Sequence, residues 1–513
     1  MPTRATLLLL TGVAVAGLAG AGAVAWAQTA TRNGLRTTTA PQYVAQQPAR
    51  SADTSGTAGI SPEGVPDPAT LIRNQTGAVS RRAPPRASRP VQPPALRGVT
   101  QRQFRAPQPV VTGLPSADAP LPARPVRRIP TAAEDPYAPL GLRVGNIVLK
   151  PAITESLGYD SNPQRSALPG VKGSPVLRSE GELEVQSDWN VHELRGTVRG
   201  GYSRFFRDPE ASRPDADGTM SLRLDATRDT RILLEARGRL DTQRPGSPEL
   251  NAPVIGRPQI YQYGASAGVT HDINRLQLTL RGSVDRYDYE DARLASGNIL
   301  SQKDRDQTQY GLRLRAAYEL TPGIKPFIQG EIDQREFDLA IDSSGYRRSS
   351  QGVTGRIGST VELSRLLTGE ISVGYQDRDY EDGRLKNLRG VIGDIAVLWT
   401  PTPLTTVTLR GTSELGDTTI AGSSGTTVRR ASLEIAHALR RNVTLTGFAN
   451  FSRTDYDGQN LQEDYTSVGA RLEYKLTRTF AVRASFTHER LNSTAQGSDY
   501  TANVALVGLR VQF

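Results

Sequence analysis

The 513-residue chain has no cysteine, which excludes a disulfide framework and any thiolate-held metal. Histidine is scarce too: His192, His271, His437 and His488 are scattered along the chain, and no phosphate-binding loop, dinucleotide fingerprint or zinc spacing accompanies them. Beyond the first residues no run approaches the eighteen or more apolar residues of a spanning helix, so a membrane-crossing fold here would have to be made of strands. Hydrophobic residues make up only 37% and the mean hydropathy is −0.43. In a soluble protein that poverty would leave much of the chain unable to fold. A barrel tolerates it, because only every second residue of a lipid-facing strand must be apolar.

What the chain does have is charge, glycine and proline, unevenly placed. The net charge of +10 resides mostly in the segment 28–140, which carries about 14 Arg, no Lys and about 6 acidic residues up to Gly141; from Leu142 on, about 47 basic residues face about 46 acidic ones. That balance argues against nucleic-acid binding by the folded part. Ahead of the segment, residues 1–27 combine Arg4, an apolar stretch through Leu7-Leu8-Leu9-Leu10 and Val13-Ala14-Val15, and Ala25-Trp26-Ala27 before Gln28. This is the pattern of a cleaved secretory signal peptide, with an uncleaved anchor as the alternative. The segment 28–140, with Pro84-Pro85, Pro93-Pro94, Arg81-Arg82 and Arg127-Arg128, shows no sustained period. It reads as a disordered, basic, Pro-rich periplasmic segment, a spacer or an arm for an anionic partner such as an acidic polysaccharide.

From residue 141 to 513 the texture is alternation. In the last stretch Ala505, Val507, Leu509, Val511 and Phe513 fall on one face; Gly508, Arg510 and Gln512 share the other with Val504 and Leu506. Ending on an aromatic carboxylate, it resembles the closing strand of bacterial outer-membrane β-barrels, in which Leu509, Val511 and Phe513 would be the assembly signal. Comparable sets recur upstream, such as Leu276, Leu278 and Leu280, or Tyr310, Leu312 and Leu314, and sum to about eighteen strands. Tight links such as Arg228-Asp229-Thr230 and Thr321-Pro322-Gly323 alternate with polar loops of about 9 to 18 residues, as at 241–258. The expectation is an all-β transmembrane antiparallel up-and-down β-barrel, short turns in the periplasm and long loops outside. A soluble sandwich or solenoid is the alternative, but its core strands should be richer in apolar residues.

The run Leu140-Gly141-Leu142-Arg143-Val144-Gly145, the strand after it and Gly158-Tyr159-Asp160-Ser161-Asn162 resemble the opening of the putative β-barrel porin 2 family, whose members begin with a Gly-x-Arg-x-Gly turn, an apolar strand and a Gly-Tyr-Asp-x-Asn exit. The resemblance spans roughly residue 140 to the end. It implies a cell outer membrane barrel of a Gram-negative bacterium, surrounded by lipid and lipopolysaccharide and folded by the barrel-assembly machinery.

The polar face carries both signs: Arg195, Arg199, Arg223, Arg237, Arg281, Arg313, Arg315, Arg356, Arg410, Arg471, Arg483 and Arg510 against Glu182, Glu184, Glu235, Asp285, Glu331, Glu362, Glu370, Glu434 and Glu473. Charge at this density cannot face hydrocarbon, so these residues should line a lumen, either bathing a channel or pairing across strands to hold the wall. Inward aromatics are sparse, Phe205, Phe327 and Phe448 being the clearer cases, and no long constriction loop stands out. A repeated Arg/Tyr/Asp element, as in Arg286-Tyr287-Asp288-Tyr289-Glu290-Asp291 and Arg378-Asp379-Tyr380, sits where strands meet long loops. Its aromatics should form the interfacial girdle, and its acids should be solvated or share cations with lipopolysaccharide phosphates. An enzyme is not expected: the closest approach to a hydrolase site would gather His488, Asn503 and Ser485. No cofactor or metal is expected. The function predicted is a porin-like channel for passive passage of hydrophilic solutes. The alternatives are export of exopolysaccharide or capsule, which the resemblance implies, and a plugged structural or adhesive surface barrel.

Overall fold

The computed structural model describes residues 136–167, 172–250, 254–364 and 366–513. The signal-peptide reading of 1–27 and nearly all of the 28–140 segment lie outside them. Valine, isoleucine, threonine and tyrosine at alternate positions favour a pleated, half-buried backbone, and eighteen long strands result. They are β1 (Ile147–Asp160), β2 (Ser174–Ser187), β3 (Glu193–Phe205), β4 (Arg213–Asp225), β5 (Thr230–Thr242) and β6 (Gln259–Ile273). Next come β7 (Leu276–Tyr289), β8 (Gln307–Tyr318), β9 (Ile324–Phe337), β10 (Ser350–Ser364), β11 (Leu367–Tyr380) and β12 (Leu388–Thr402). The last six are β13 (Thr405–Gly416), β14 (Gly425–Arg440), β15 (Val443–Asp457), β16 (Gln462–Lys475), β17 (Phe480–Ser493) and β18 (Tyr500–Gln512). Each pairs antiparallel with its chain neighbours, and β1 pairs with β18 from Ala152 opposite Gln512 to Asp160 opposite Val504. The sheet closes with no long edge left open, an up-and-down barrel of 18 strands. No described helix is long and apolar enough to cross a membrane.

Side chains obey the period of two. Along β18, Thr501, Asn503, Ala505, Val507 and Leu509 are exposed, whereas Tyr500, Ala502, Val504, Leu506, Gly508 and Arg510 are buried. Large apolar residues such as Ile328, Val353, Ile357 and Val391 are more than half exposed on the outer surface, which is tenable only if hydrocarbon covers it. Leu509, Val511 and Phe513 belong to this outward set. Inward Val504 and Leu506 are explained by an apolar cluster with Val176, Phe205 and Ala211 beneath the long-loop end.

The closing seam is tight. A Cβ on Gly508 would come within 2.6 Å of the Glu155 carbonyl oxygen, and one on Gly158 within 2.7 Å of a Leu506 methyl. Gly508→Val is therefore expected to hinder closure of β1 onto β18 and to abolish the heat-modifiable fast band of the folded barrel on a semi-native gel. A band of undiminished intensity would show that the seam yields.

Short links join the strands at one end and longer loops at the other. Five loops there, 206–212, 381–387, 417–424, 458–461 and 494–499, fall short of the expected 9 to 18 residues. The short strand Leu142–Val144 folds back on the start of β1, and in the β16–β17 turn Arg478 Nε donates to the Pro136 carbonyl at 2.8 Å, so the described lead-in docks at the short-turn end.

The repeated Arg/Tyr/Asp element departs from expectation. Tyr287, Tyr289 and Tyr456 point inward and are buried, and Tyr380 packs on an inward cluster of Leu388, Ile392 and Leu415. Parity is the reason: Arg286 and Asp288 hold the outward positions, so the tyrosines flanking Asp288 must turn in. Aromatics do stand outward at that height, but they are Tyr159, Tyr202, Tyr261 and Tyr263. Nor is the element's charge simply solvated: Arg286 clasps Asp338 at 2.5 Å and Asp288 at 2.7 Å.

Candidate functional site

The inner wall is where the polar face of every strand converges, and strand parity decides what each contributes. Even positions of β2 put Glu182 and Glu184 inside; odd positions of β3 put Arg195 and Arg199 there. Glu182 takes Arg199 at 2.6 Å and, reaching over β1, Arg510 of β18 at 2.8 Å, so one carboxylate sews the seam. Glu184 takes Lys150 of β1 at 2.8 Å. Arg223 on β4 meets Glu193 at 2.7 Å, and the more exposed Arg195 reaches the same carboxylate.

Further round, the pairs continue from strand to strand. Asp285 accepts Arg237 Nε at 2.9 Å, and Glu235 takes Arg281 at 3.0 Å. Arg313 meets Glu331 at 2.8 Å, Arg315 meets Glu370 at 2.9 Å, and Arg356 pairs with Asp394. Arg471 meets Glu434 at 3.3 Å and Arg483 meets Glu473 at 2.6 Å. Arg410 and Glu362 share the inward faces of β13 and β10. The candidates are thus brought together as a mesh of opposite charges. Arginine suits such a mesh because its planar fork binds a carboxylate with two parallel donors. Phe205, Phe327 and Phe448 do face inward, but each lies under a guanidinium, of Arg213 at 5.1 Å, Arg315 at 3.5 Å and Arg471 at 4.1 Å. They are platforms for cations rather than an open aromatic track.

Above this mesh the structure corrects the sequence reading, which found no constriction loop. The described stretch 243–250 of the β5–β6 loop turns inward and is fastened on two sides. On one, Arg244 Nη1 donates to the Ser498 carbonyl at 3.1 Å, and Ser498 Oγ donates to the Gly246 carbonyl at 2.9 Å. On the other, the short 3-10 turn Pro248–Leu250 offers Glu249 to the β13–β14 loop, eight strands further round. Thr418 and Thr419 hydroxyls donate to its two oxygens at 2.5 and 2.7 Å, the Thr419 N–H adds a bond at 3.2 Å, and Arg305 stands 3.5 Å away. Burial pushes the Glu249 carboxyl up to about 7 against the pull of those donors, and burial pushes Arg305 down to about 9. The β13–β14 loop is itself held by Arg348, which donates to the carbonyls of Thr418, Ile420 and Ser423. Loops that are not adjacent in the wall thus grip one another across the mouth, arginine to backbone carbonyl and Glu249 to threonine hydroxyl.

Sequence reasoning missed two kinds of residue here. Arg178, Arg378 and Glu489 lie on inward parity, and carrying the alternation to the ends of their strands would have found them. Arg165, Arg244, Arg257, Arg348 and Glu249 lie in loops, where no period exists to be read. Of the hydrolase candidates, His488 Nδ1 meets Asn503 Oδ1 at 2.8 Å on the outer surface, but Ser485 has inward parity on β17 and stays apart from them. Among the described residues no group of three or more His, Asp or Glu side chains could hold a metal ion.

A family model described as "Putative beta-barrel porin 2" matches residues 135–513. No curated protein sequence matches the chain. Among solved structures, OccAB3 of Acinetobacter baumannii is similar at 11% identity and a TM-score of 0.36, over 72% of this chain and 100% of that one. The siderophore receptor PirA of Acinetobacter baumannii aligns at 9% identity and a TM-score of 0.35, over 72% and 81% of the two chains. The ferric enterobactin receptor PfeA of Pseudomonas aeruginosa, in a mutant form, aligns at 8% identity and a TM-score of 0.37, over 71% and 80%.

Proposed function

The chain belongs to the Putative beta-barrel porin 2 family, an outer-membrane type of barrel, and from that premise we propose that it conducts small hydrophilic solutes passively across the outer membrane. The observation that carries this reading is the inner wall, charged in both signs from β1 to β18, beside an outer surface of exposed leucine, isoleucine and valine. Side chains of that polarity need water or one another, and an 18-strand barrel encloses more space than side chains alone fill. Because the signs are interleaved, the wall supplies hydration without a strong field, and solutes should be sorted by size more than by charge.

In this reading the short turns face the periplasm and the gripped loops face outside. The 28–140 segment then lies on the periplasmic side, where its arginines have access to an anionic partner. Leu509, Val511 and Phe513 are the residues the assembly machinery would read.

The inward loops favour a second reading, a barrel closed at its outer mouth that serves as a structural or adhesive surface protein. Planar-bilayer recording separates the two. Steady steps that scale with bulk salt, with an anion-to-cation permeability ratio within about threefold of unity, are expected of the channel. A correctly folded barrel that stays silent in every recording would leave only the second reading.

A further inference from the structure

Beneath the outer mouth, buried positive charge exceeds the negative charge set against it. Arg165 uses both carboxylates closest to it: Asp160 accepts from Nη1 at 2.8 Å and Glu489 from Nε at 2.7 Å, all three side chains being essentially inaccessible. Arg244 has Glu463 at 3.7 Å, a loose pairing that Glu463 divides with the Tyr456 hydroxyl. Arg213 and Arg257 have no carboxylate within ion-pair distance among the described residues. Arg213 Nη1 donates to the carbonyls of Pro163 and Ala211 at 3.0 and 3.2 Å. Arg257 Nη2 donates to those of Pro163 and Gln164 at 3.1 and 2.8 Å.

Two guanidiniums therefore converge on one carbonyl oxygen, a third reaches the Arg165 carbonyl beside it at 3.4 Å, and the fourth belongs to that same residue. Both unpaired arginines are buried, at 4% and 9% exposure. Carbonyl dipoles do not neutralise a cation, and guanidinium does not give up its proton as lysine can. Donors are left over as well: Arg165 Nη2 and Arg257 Nε are buried without an acceptor, and the nearby Gln243 side-chain amide and Tyr500 hydroxyl also lack partners. Burial and the three neighbouring arginines push Arg257 well below its ordinary value, so the site resists the very charge it contains.

We propose that Arg165, Arg213, Arg244 and Arg257 form an anion seat at the outer mouth of the channel, taking one small oxyanion, a carboxylate or phosphate group. Such a group supplies what the site lacks, negative charge and forked acceptors for the leftover N–H donors. Arg213, Asp160 and Glu489 hold inward positions on their strands, so the seat lies on the lumen side of the wall. The anion comes from dissolved solute and not from a lipid headgroup on the outer surface. Since Arg244 and Arg257 lie near the two ends of the β5–β6 loop, an occupied seat also holds those ends against the Pro163–Arg165 backbone. As a station for permeating solutes the seat rests on the channel reading; as a binding site it does not.

The test is equilibrium binding of inorganic phosphate and, separately, of succinate to the full-length protein folded in detergent, at low ionic strength and pH 7. The expected result is one saturable site per chain for at least one of the two probes. Arg257→Gln should weaken it by about tenfold or more, the effect of losing a charge-assisted donor pair, and Arg257→Lys should weaken it less. Arg429→Gln, which alters an exposed pair with Asp455 between β14 and β15 that makes no contact with the four seat arginines, should bind as the native chain does. Heat-modifiable gel mobility confirms that each variant is folded, and Arg213→Gln serves where Arg257→Gln is not. Absence of saturable binding, or equal binding by native protein and Arg257→Gln, overturns the proposal. Conductance of the same preparation is read independently: a silent barrel that binds phosphate removes the channel and keeps the seat, and a conducting barrel that binds neither probe does the reverse.

Discussion

Replacing Arg165 by leucine is expected to lower the stability of the barrel by about 3–5 kcal/mol, the usual cost of deleting one partner of a buried ion cluster. The size follows from what is left behind. Asp160 on β1 and Glu489 on β17 are both wholly buried and both take their strongest donor from Arg165. Leucine supplies neither charge nor donor to oxygens that the native fold buries completely. The native cluster itself need not be strongly stabilising; breaking it is the costly event. Converting the two acids to amides in the same chain, Asp160→Asn with Glu489→Gln, should therefore restore most of the loss. Urea unfolding of the refolded protein, followed by tryptophan fluorescence, measures both. A leucine variant that unfolds at the native urea concentration would falsify the view that this cluster is uncompensated from elsewhere.

The second large effect concerns pH. Glu249 fastens the loop stretch 243–250 to the opposite side of the mouth while its carboxyl is held up at about 7 by burial. When the loop is lifted and the side chain solvated, the group returns to about 4.5, its ordinary value. The seated state therefore binds the proton more tightly. Seating is fully favoured below the lower value and weakens as pH rises through the upper one. The groups facing Glu249 fit this sense: Asp417 disfavours its ionised form, while Arg348 and the hydroxyls of Thr418 and Thr419 only partly offset burial. Between pH 5 and pH 8 the ratio of seated to lifted loop should fall on the order of 10- to 100-fold, seen as larger or more frequent open-channel steps at the alkaline end. Glu249→Gln, neutral at every pH, should stay seated at pH 8 and lose most of that dependence. Opening on acidification instead would mean that the threonine donors, and not burial, control this carboxyl.

What could be read in advance was whatever has a short period. The alternation of β18, the Gly-Tyr-Asp-x-Asn exit of β1 and the eight short links are local features, set by residues within one strand or turn, and they specify a closed 18-strand wall. The lumen candidates were found by the same parity, since a strand's polar face is fixed once its apolar face is known. The long-loop mouth was not legible, because its conformation depends on partners far away in sequence. Arg244 bonds a carbonyl 254 residues on, and Glu249 bonds a hydroxyl 169 residues on. Tyr287 and Tyr289 illustrate a different failure: chemical type suggested an interfacial girdle, and the one-residue offset from Arg286 placed them inside.

The bond from Arg510 to Glu182 joins residues 328 positions apart, and it has a bearing on biogenesis. Every other hairpin can zip up with the strand synthesised just before it, whereas β1 must wait with one flank unsatisfied until the rest of the wall exists. A polypeptide that stops before Tyr500 would leave that flank, together with Glu182's second oxygen, permanently without a mate. Such a product would be a sticky open ribbon rather than a smaller pore, so the cell's quality-control proteases should meet truncated chains before the membrane does.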